Sequence, residues 1–189
     1  MSGCEVVLLM GPPGAGKGTQ ATRLAKERAL KKLSTGDILR ANVAAGTELG
    51  CRASSIMDVG ELVPDDLIVA MVRNELESME SLRVLLDGFP RTPGQADALD
   101  AILAEHGISL GAVLLLEVED EELVRRLLLR AREQGRSDDT EEVIRERMRV
   151  YRRDTEPLIK YYRGGGKFHR VDGNGDIDEI HRRIEGILS

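Results

Sequence analysis

Val6-Val7-Leu8-Leu9-Met10 runs directly into Gly11-Pro12-Pro13-Gly14-Ala15-Gly16-Lys17-Gly18-Thr19. The apolar run reads as a buried strand, and the residues after Lys17 open a helix expected from Thr19 to about Arg28. The glycines between them let backbone N–H groups wrap around phosphate oxygens. The helix N-terminus adds positive potential, and the ammonium of Lys17 reaches the outer phosphates. An ordinary Gly/Pro turn is the plainer alternative, but this spacing at a strand-to-helix junction argues against it. The general pattern asks for Ser or Thr immediately after the lysine; here Gly18 stands there and Thr19 follows.

Four further apolar runs, at Lys31–Thr35, Val84–Asp87, Ala112–Val118 and Phe168–Asp172, alternate with helical patterns. That is the β–α rhythm of a doubly wound α/β domain with a five-stranded parallel sheet flanked by helices. In such sheets ligands collect at the carboxyl ends of the strands. Two regions break the rhythm. Residues 36–65 hold more helix than a crossover needs, with a turn at Asp58-Val59-Gly60 and a new helix start at Val63-Pro64-Asp65-Asp66, and are read as an inserted helical flap. Residues 130–138 are read as a short basic loop between two helices. The core is then 1–35, 66–129 and 139–189.

The chain has 189 residues, enough for one such domain, and a formal net charge of −6. An acidic molecule whose aromatic content is 3% has neither the basic surface nor the stacking side chains of a nucleic-acid binder. No run approaches the ~20 apolar residues of a membrane span. Cys4 and Cys51 are too few for a four-ligand zinc site and suit a reducing, cytoplasmic setting.

Arginines stand where apolar residues belong. The helix over 119–130 carries a stripe through Leu123 and Leu127 that continues to Arg130, and Arg147 lies four residues after Val143 and three before Val150. A cation on an inward stripe needs an anionic partner, either an internal carboxylate or a ligand. The third strand favours the ligand. It ends Leu85-Leu86-Asp87-Gly88-Phe89-Pro90-Arg91, which puts Asp87 beside the phosphate loop, where a carboxylate can hold magnesium directly or through water. Lys17, Arg40, Arg91, Arg130, Arg136 and Arg147 together supply six positive charges. ATP and AMP together carry roughly six negative ones near neutral pH, so the set suits a site that holds two nucleotides.

The sequence resembles the adenylate kinases, members of the nucleoside monophosphate kinases, nearly end to end. The stretches that carry the resemblance are Gly-Pro-Pro-Gly-Ala-Gly-Lys-Gly-Thr-Gln at 11–20, Leu-Ser-Thr-Gly-Asp-Ile-Leu-Arg at 33–40 and Gly-Glu-Leu-Val-Pro-Asp at 60–65. They continue with Asp-Gly-Phe-Pro-Arg-Thr at 87–92 with Gln95, Gly-Arg-Ser-Asp-Asp at 135–139 and Val-Asp-Gly at 171–173. The resemblance implies a P-loop kinase fold in which 36–65 is an AMP-binding flap and 130–138 a short lid without zinc. It implies that Gly14, Ala15, Gly16, Lys17, Gly18, Thr19, Arg130 and Gly175 hold ATP. Thr35, Arg40, Glu61, Leu62, Val63, Gly88, Phe89, Pro90, Arg91, Gln95, Arg136 and Arg147 would line the AMP site, with Gln95 hydrogen-bonding the adenine edge in both directions. Arg136 and Arg147 would close over the transferring group, joining Lys17, Arg91 and Arg130 in catalysis, and Asp87 would hold the Mg2+ shell. The expected partners are ATP, AMP and ADP, and the expected state is a cytoplasmic monomer. A kinase for UMP or CMP, and a P-loop nucleotide-binding protein that transfers nothing, stand as the alternatives. His106, His169 and His181 receive no role.

Overall fold

The computed structural model describes residues 5–134, the last by its backbone alone, and 140–189. Five strands, β1 (Glu5–Met10), β2 (Lys31–Ser34), β3 (Arg83–Asp87), β4 (Ala112–Glu117) and β5 (Phe168–Asp172), form one parallel sheet in the order β2-β3-β1-β4-β5. The three central strands are the most continuously apolar ones, as burial on both faces requires, while the edge strands are half polar. Thr35, expected in the second strand, instead begins a helix, because the Ser34 hydroxyl accepts the Asp37 N–H and caps it at 3.3 Å.

The helices are α1 (Lys17–Glu27), α2 (Thr35–Ala44), α3 (Glu48–Asp58), α4 (Asp65–Glu77), α5 (Pro93–Glu105), α6 (Asp120–Gln134), α7 (Glu141–Val150), α8 (Leu158–Arg163) and α9 (Ile177–Leu188). One π-helical turn, Tyr151–Thr155, continues α7. Side-chain oxygens of Thr47, Thr92 and Thr140 cap α3, α5 and α7, and Asp176 and Glu179 form a reciprocal capping box on α9. The α2 and α3 helices are the extra helical pieces expected within 36–65. They pack so closely that a Cβ on Gly50 would lie 2.1 Å from the carbonyl oxygen of Asn42.

Two further expectations need correction. Helix α1 begins at Lys17, two residues earlier than expected, so the lysine itself belongs to the first helical turn. The basic stretch 130–138 is not all loop, because α6 runs on through Arg130 to Gln134. Arg130-Ala131-Arg132-Glu133 is a series of strong helix formers with no breaker before Gly135, so the helix propagates through it. The remainder of that stretch lies outside the described residues.

The sheet separates two cores. Val6, Leu8, Val84, Leu86, Val113 and Leu115 point to one face, where α4 and α5 bring Val72, Leu76, Leu99 and Ile102. Val7, Leu9, Leu85, Leu114 and Leu116 point to the other, where α1, α6 and α9 bring Leu24, Leu123 and Ile184. The alternation is the two-residue period of a pleated strand. At the carboxyl edge Leu9 stands in register with both Asp87 and Leu114, so the segments after β1 and β3 emerge side by side.

Candidate active site

The glycine loop after β1 turns through Gly14 and Gly16, whose φ angles of 85° and 88° lie in the left-handed region that favours glycine. Gly14 also admits a neighbour: a Cβ there would lie 2.9 Å from the Leu123 carbonyl oxygen and 2.9 Å from Leu127, both on α6. The Lys17 ammonium folds back across the loop and donates to the carbonyls of Gly11 and Pro12, both at 2.8 Å. Burial depresses its pKa from 10.5 to about 7. The Asp87 carboxylate works against that shift, and the guanidinium groups of Arg91, Arg147 and Arg130 add to it. Opposite the loop, Asp87 is 8% exposed, and a Cβ on Gly18 would stand 3.6 Å from its Oδ2. The glycine that replaces the usual Ser or Thr thus leaves open the space between the loop and this carboxylate.

A second set of bonds organises the segment after β3. The Thr35 hydroxyl donates to the carbonyl of Gly88 at 2.8 Å, and Arg91 Nε donates to the same oxygen at 2.8 Å. Gly88 has φ 80°, and a Cβ there would meet Arg91 at 2.9 Å and Thr35 Oγ1 at 3.1 Å. Burial lowers the Arg91 pKa to about 10, with Arg147 adding to the shift, Asp87 opposing it and Arg40 contributing further; the side chain stays charged near neutral pH. Gln95, 1% exposed, accepts from the Arg91 backbone N–H at 2.8 Å and donates to Asp65 Oδ1 at 2.7 Å, while Thr92 donates to Asp65 Oδ2 at 2.6 Å.

These segments wall two compartments. The larger is lined by Gly14, Gly16, Gly18, Thr19, Asp87, Arg130 and Gly175. The second is lined by Thr35, Pro90 and Gln95 and, across from them, by Glu61, Leu62 and Val63. Lys17, Arg40, Gly88, Arg91 and Arg147 border both. Four cations from four places in the chain therefore meet where the compartments adjoin. Arg40 is also held by Asp37 at 2.6 Å.

Three of the expected site residues are engaged within the protein. Ala15 lines neither compartment: its methyl group is fully buried with the apolar residues beneath the loop, and its N–H donates to Pro12 at 3.2 Å. Phe89 is 2% exposed and packs in the core cluster that holds Leu86 and Leu99. The Gln95 amide bonds Arg91 and Asp65 within the protein, because a buried amide takes the partners at hand. Arg136 lies outside the described residues. Asp65 was not singled out from the sequence, although its position just after Pro64, in an acidic first turn, marked a helix start. The π-helical turn, which brings Tyr151 and Thr155 to the second compartment, had no signal in the sequence pattern.

A five-stranded parallel sheet, a glycine loop with its lysine at the end of β1 and a carboxylate at the end of β3 define a P-loop phosphotransferase of the nucleoside monophosphate kinase class. The profile of the adenylate kinase family matches residues 9–167. An adenylate kinase of Thermus thermophilus is 57% identical over 184 residues, which cover 97% of each chain. Those of Deinococcus radiodurans and Synechococcus are 53% and 50% identical, covering 95% and 97% of this chain and 94% and 98% of their own. The chain belongs to the adenylate kinase family.

Proposed function

We propose that this protein catalyses ATP + AMP = 2 ADP, with ATP in the compartment walled by the glycine loop and AMP in the one walled by Thr35, Gln95 and residues 61–63. The observation that carries the reading is the placement of Lys17, Arg40, Arg91 and Arg147 on both compartments at once. Two phosphate chains approaching end to end repel each other, and cations shared between them offset that repulsion most strongly where the transferring group passes. A site for one nucleotide has no use for a second cation-lined chamber.

In the forward direction an AMP phosphate oxygen attacks the γ-phosphorus of ATP in line with the bond to the β–γ bridging oxygen. The new P–O bond forms as the old one breaks, and both products are ADP. The nucleophile is already ionised, so no general base is required, and catalysis rests on positioning and charge stabilisation. The backbone N–H groups around Gly14, Gly16 and Gly18 and the Lys17 ammonium hold the donor phosphates. Arg91, Arg136 and Arg147 fork onto the equatorial oxygens of the moving group, with Arg130 joining from the ATP side. Asp87 fits a magnesium ion, since it is a carboxylate with open space toward the phosphate loop; it would hold the ion's shell, and the ion would supply charge neutralisation at the phosphates. Residues 36–65 act as the flap that closes over AMP and 130–138 as the lid over ATP, excluding the water that would otherwise hydrolyse the donor. The active species is a monomer in the cytoplasm, a reducing setting that suits the exposed free thiol of Cys51.

The test is an acceptor panel. With MgATP as donor, AMP, GMP, CMP and UMP are compared by coupled ADP production. AMP is expected to give the highest kcat/KM. A preference for UMP or CMP would move the chain to pyrimidine nucleotides, and nucleotide binding without any transfer would refute the kinase reading.

A further inference from the structure

We propose that Gln20 and His181 form a positioning relay that fixes the Gly175–Ile177 wall of the larger compartment, and so tunes affinity for ATP. The inference rests on the assignment of that compartment to ATP.

Gln20 sits in the second turn of α1, just past the phosphate loop, and is 2% exposed. Its Nε2 donates to the carbonyl of Ile177 at 2.9 Å, which orients the amide and turns Oε1 toward Nδ1 of His181 at 3.2 Å. His181, on α9, is 3% exposed, and its other ring nitrogen, Nε2, lies 2.6 Å from Glu27 Oε2, back on α1. Both ring nitrogens therefore face side-chain oxygens. Two buried polar side chains thus join α1 to α9 through three consecutive hydrogen bonds, where apolar residues would have packed more simply. A buried network of this kind costs desolvation and holds one geometry in return.

That geometry concerns the wall. Ile177 is the first residue of α9, directly after Gly175 and Asp176, and all three line the compartment. Within the segment Glu179 accepts from the Asp176 N–H at 3.1 Å, and just ahead of it Arg183 donates to the carbonyl of Asp172 at 2.8 Å. Gln20 ties the segment to the helix that begins at Lys17. The nucleobase wall and the phosphate loop are thereby referenced to one rigid element. A ligand that touches both gains from that fixed spacing, because little has to be ordered when it binds.

The experiment measures KM for ATP at saturating AMP and KM for AMP at saturating ATP in the full chain. Gln20→Leu and His181→Leu remove the relay; His181→Asn restores a donor near the position of Nδ1. Thermal melts accompany each variant. Gln20→Leu is expected to raise KM for ATP about 3- to 10-fold, the scale of one lost buried hydrogen bond, while KM for AMP moves less than about twofold. His181→Leu should move in the same direction and His181→Asn should recover part of the loss. Equal changes in both KM values, or none in either, would overturn the relay. Gly175→Ala separates this from the compartment assignment. Gly175 has φ 119°, and a Cβ there would stand 2.5 Å from a Glu179 carboxylate oxygen, so the substitution distorts the wall directly. If Gly175→Ala raises KM for ATP and Gln20→Leu does not, the relay is wrong and the ATP assignment stands. If Gly175→Ala moves KM for AMP instead, the assignment itself fails.

Discussion

Filling the glycine loop with phosphate should draw a proton from solution, and Lys17 sets how much. Burial and three neighbouring guanidinium groups hold the ammonium pKa at about 7 against the support of Asp87. Bound phosphates reverse that balance by placing negative charge next to the ammonium. At pH 8 a group of pKa about 7 is about one-tenth protonated before binding, and full protonation afterwards means uptake of about 0.9 proton per site. At pH 6 it already carries about 0.9 proton, so uptake by this group falls to about 0.1. Titration calorimetry of MgATP without AMP, in buffers of different ionisation enthalpy, reads the number as the slope of observed heat against buffer enthalpy. Arg91 does not interfere, since its pKa of about 10 keeps it protonated at both values. Lys17→Arg is the control: a guanidinium stays charged throughout, and the slope at pH 8 should collapse. A zero slope at pH 8, a slope as large at pH 6, or no change in Lys17→Arg would refute the reasoning. Folding stability follows with a definite sign. The depressed pKa makes the folded state disfavour the charged lysine relative to the unfolded chain, so this penalty is full below pH about 7 and fades as pH rises toward 10.5.

Gly50→Ala should destabilise the protein by about 3 kcal/mol, measured as a lower urea midpoint, because its methyl would be driven against the Asn42 carbonyl in the α2–α3 packing; a midpoint within experimental error of the parent would show that the two helices separate without cost. Gln95→Leu leaves the Arg91 N–H and the Asp65 carboxylate without their buried partner, so stability should fall by about 1–3 kcal/mol and KM for AMP should rise more than KM for ATP. An unchanged KM for AMP would place Gln95 in a purely internal role.

What was legible in the sequence divides along physical lines. The strands were readable because β1, β3 and β4 are nearly unbroken apolar runs that end at glycine or acidic residues, a pattern imposed by burial on two faces. The phosphate loop was readable because its backbone needs glycine at fixed places whatever lies around it. Arg130 and Arg147 could be picked out as cations on apolar stripes, and both line the larger compartment. What escaped depends on partners remote in the chain. The amide of Gln95 meets Asp65, 30 residues away, and His181 meets Gln20 across 161 positions, so no local pattern announces either. Phe89 stood inside a motif full of site residues, yet its ring belongs to the core, because a motif records position along the chain and not the direction of a side chain. The early ending assigned to α6 came from reading basic residues as a loop, whereas arginine and alanine favour helix.

The pleat of β3 ties the chemistry of the cleft to counting. Leu85 and Asp87 share one face of that strand, while Val84 and Leu86 share the other and sit in the opposite core. Sliding the strand by one position would press the carboxylate into hydrocarbon and point a leucine at the phosphates. Gene variants that exchange one aliphatic side chain for another along this strand should therefore survive selection. Those that insert or delete a single codon there should disappear, however mild the residue they add or remove.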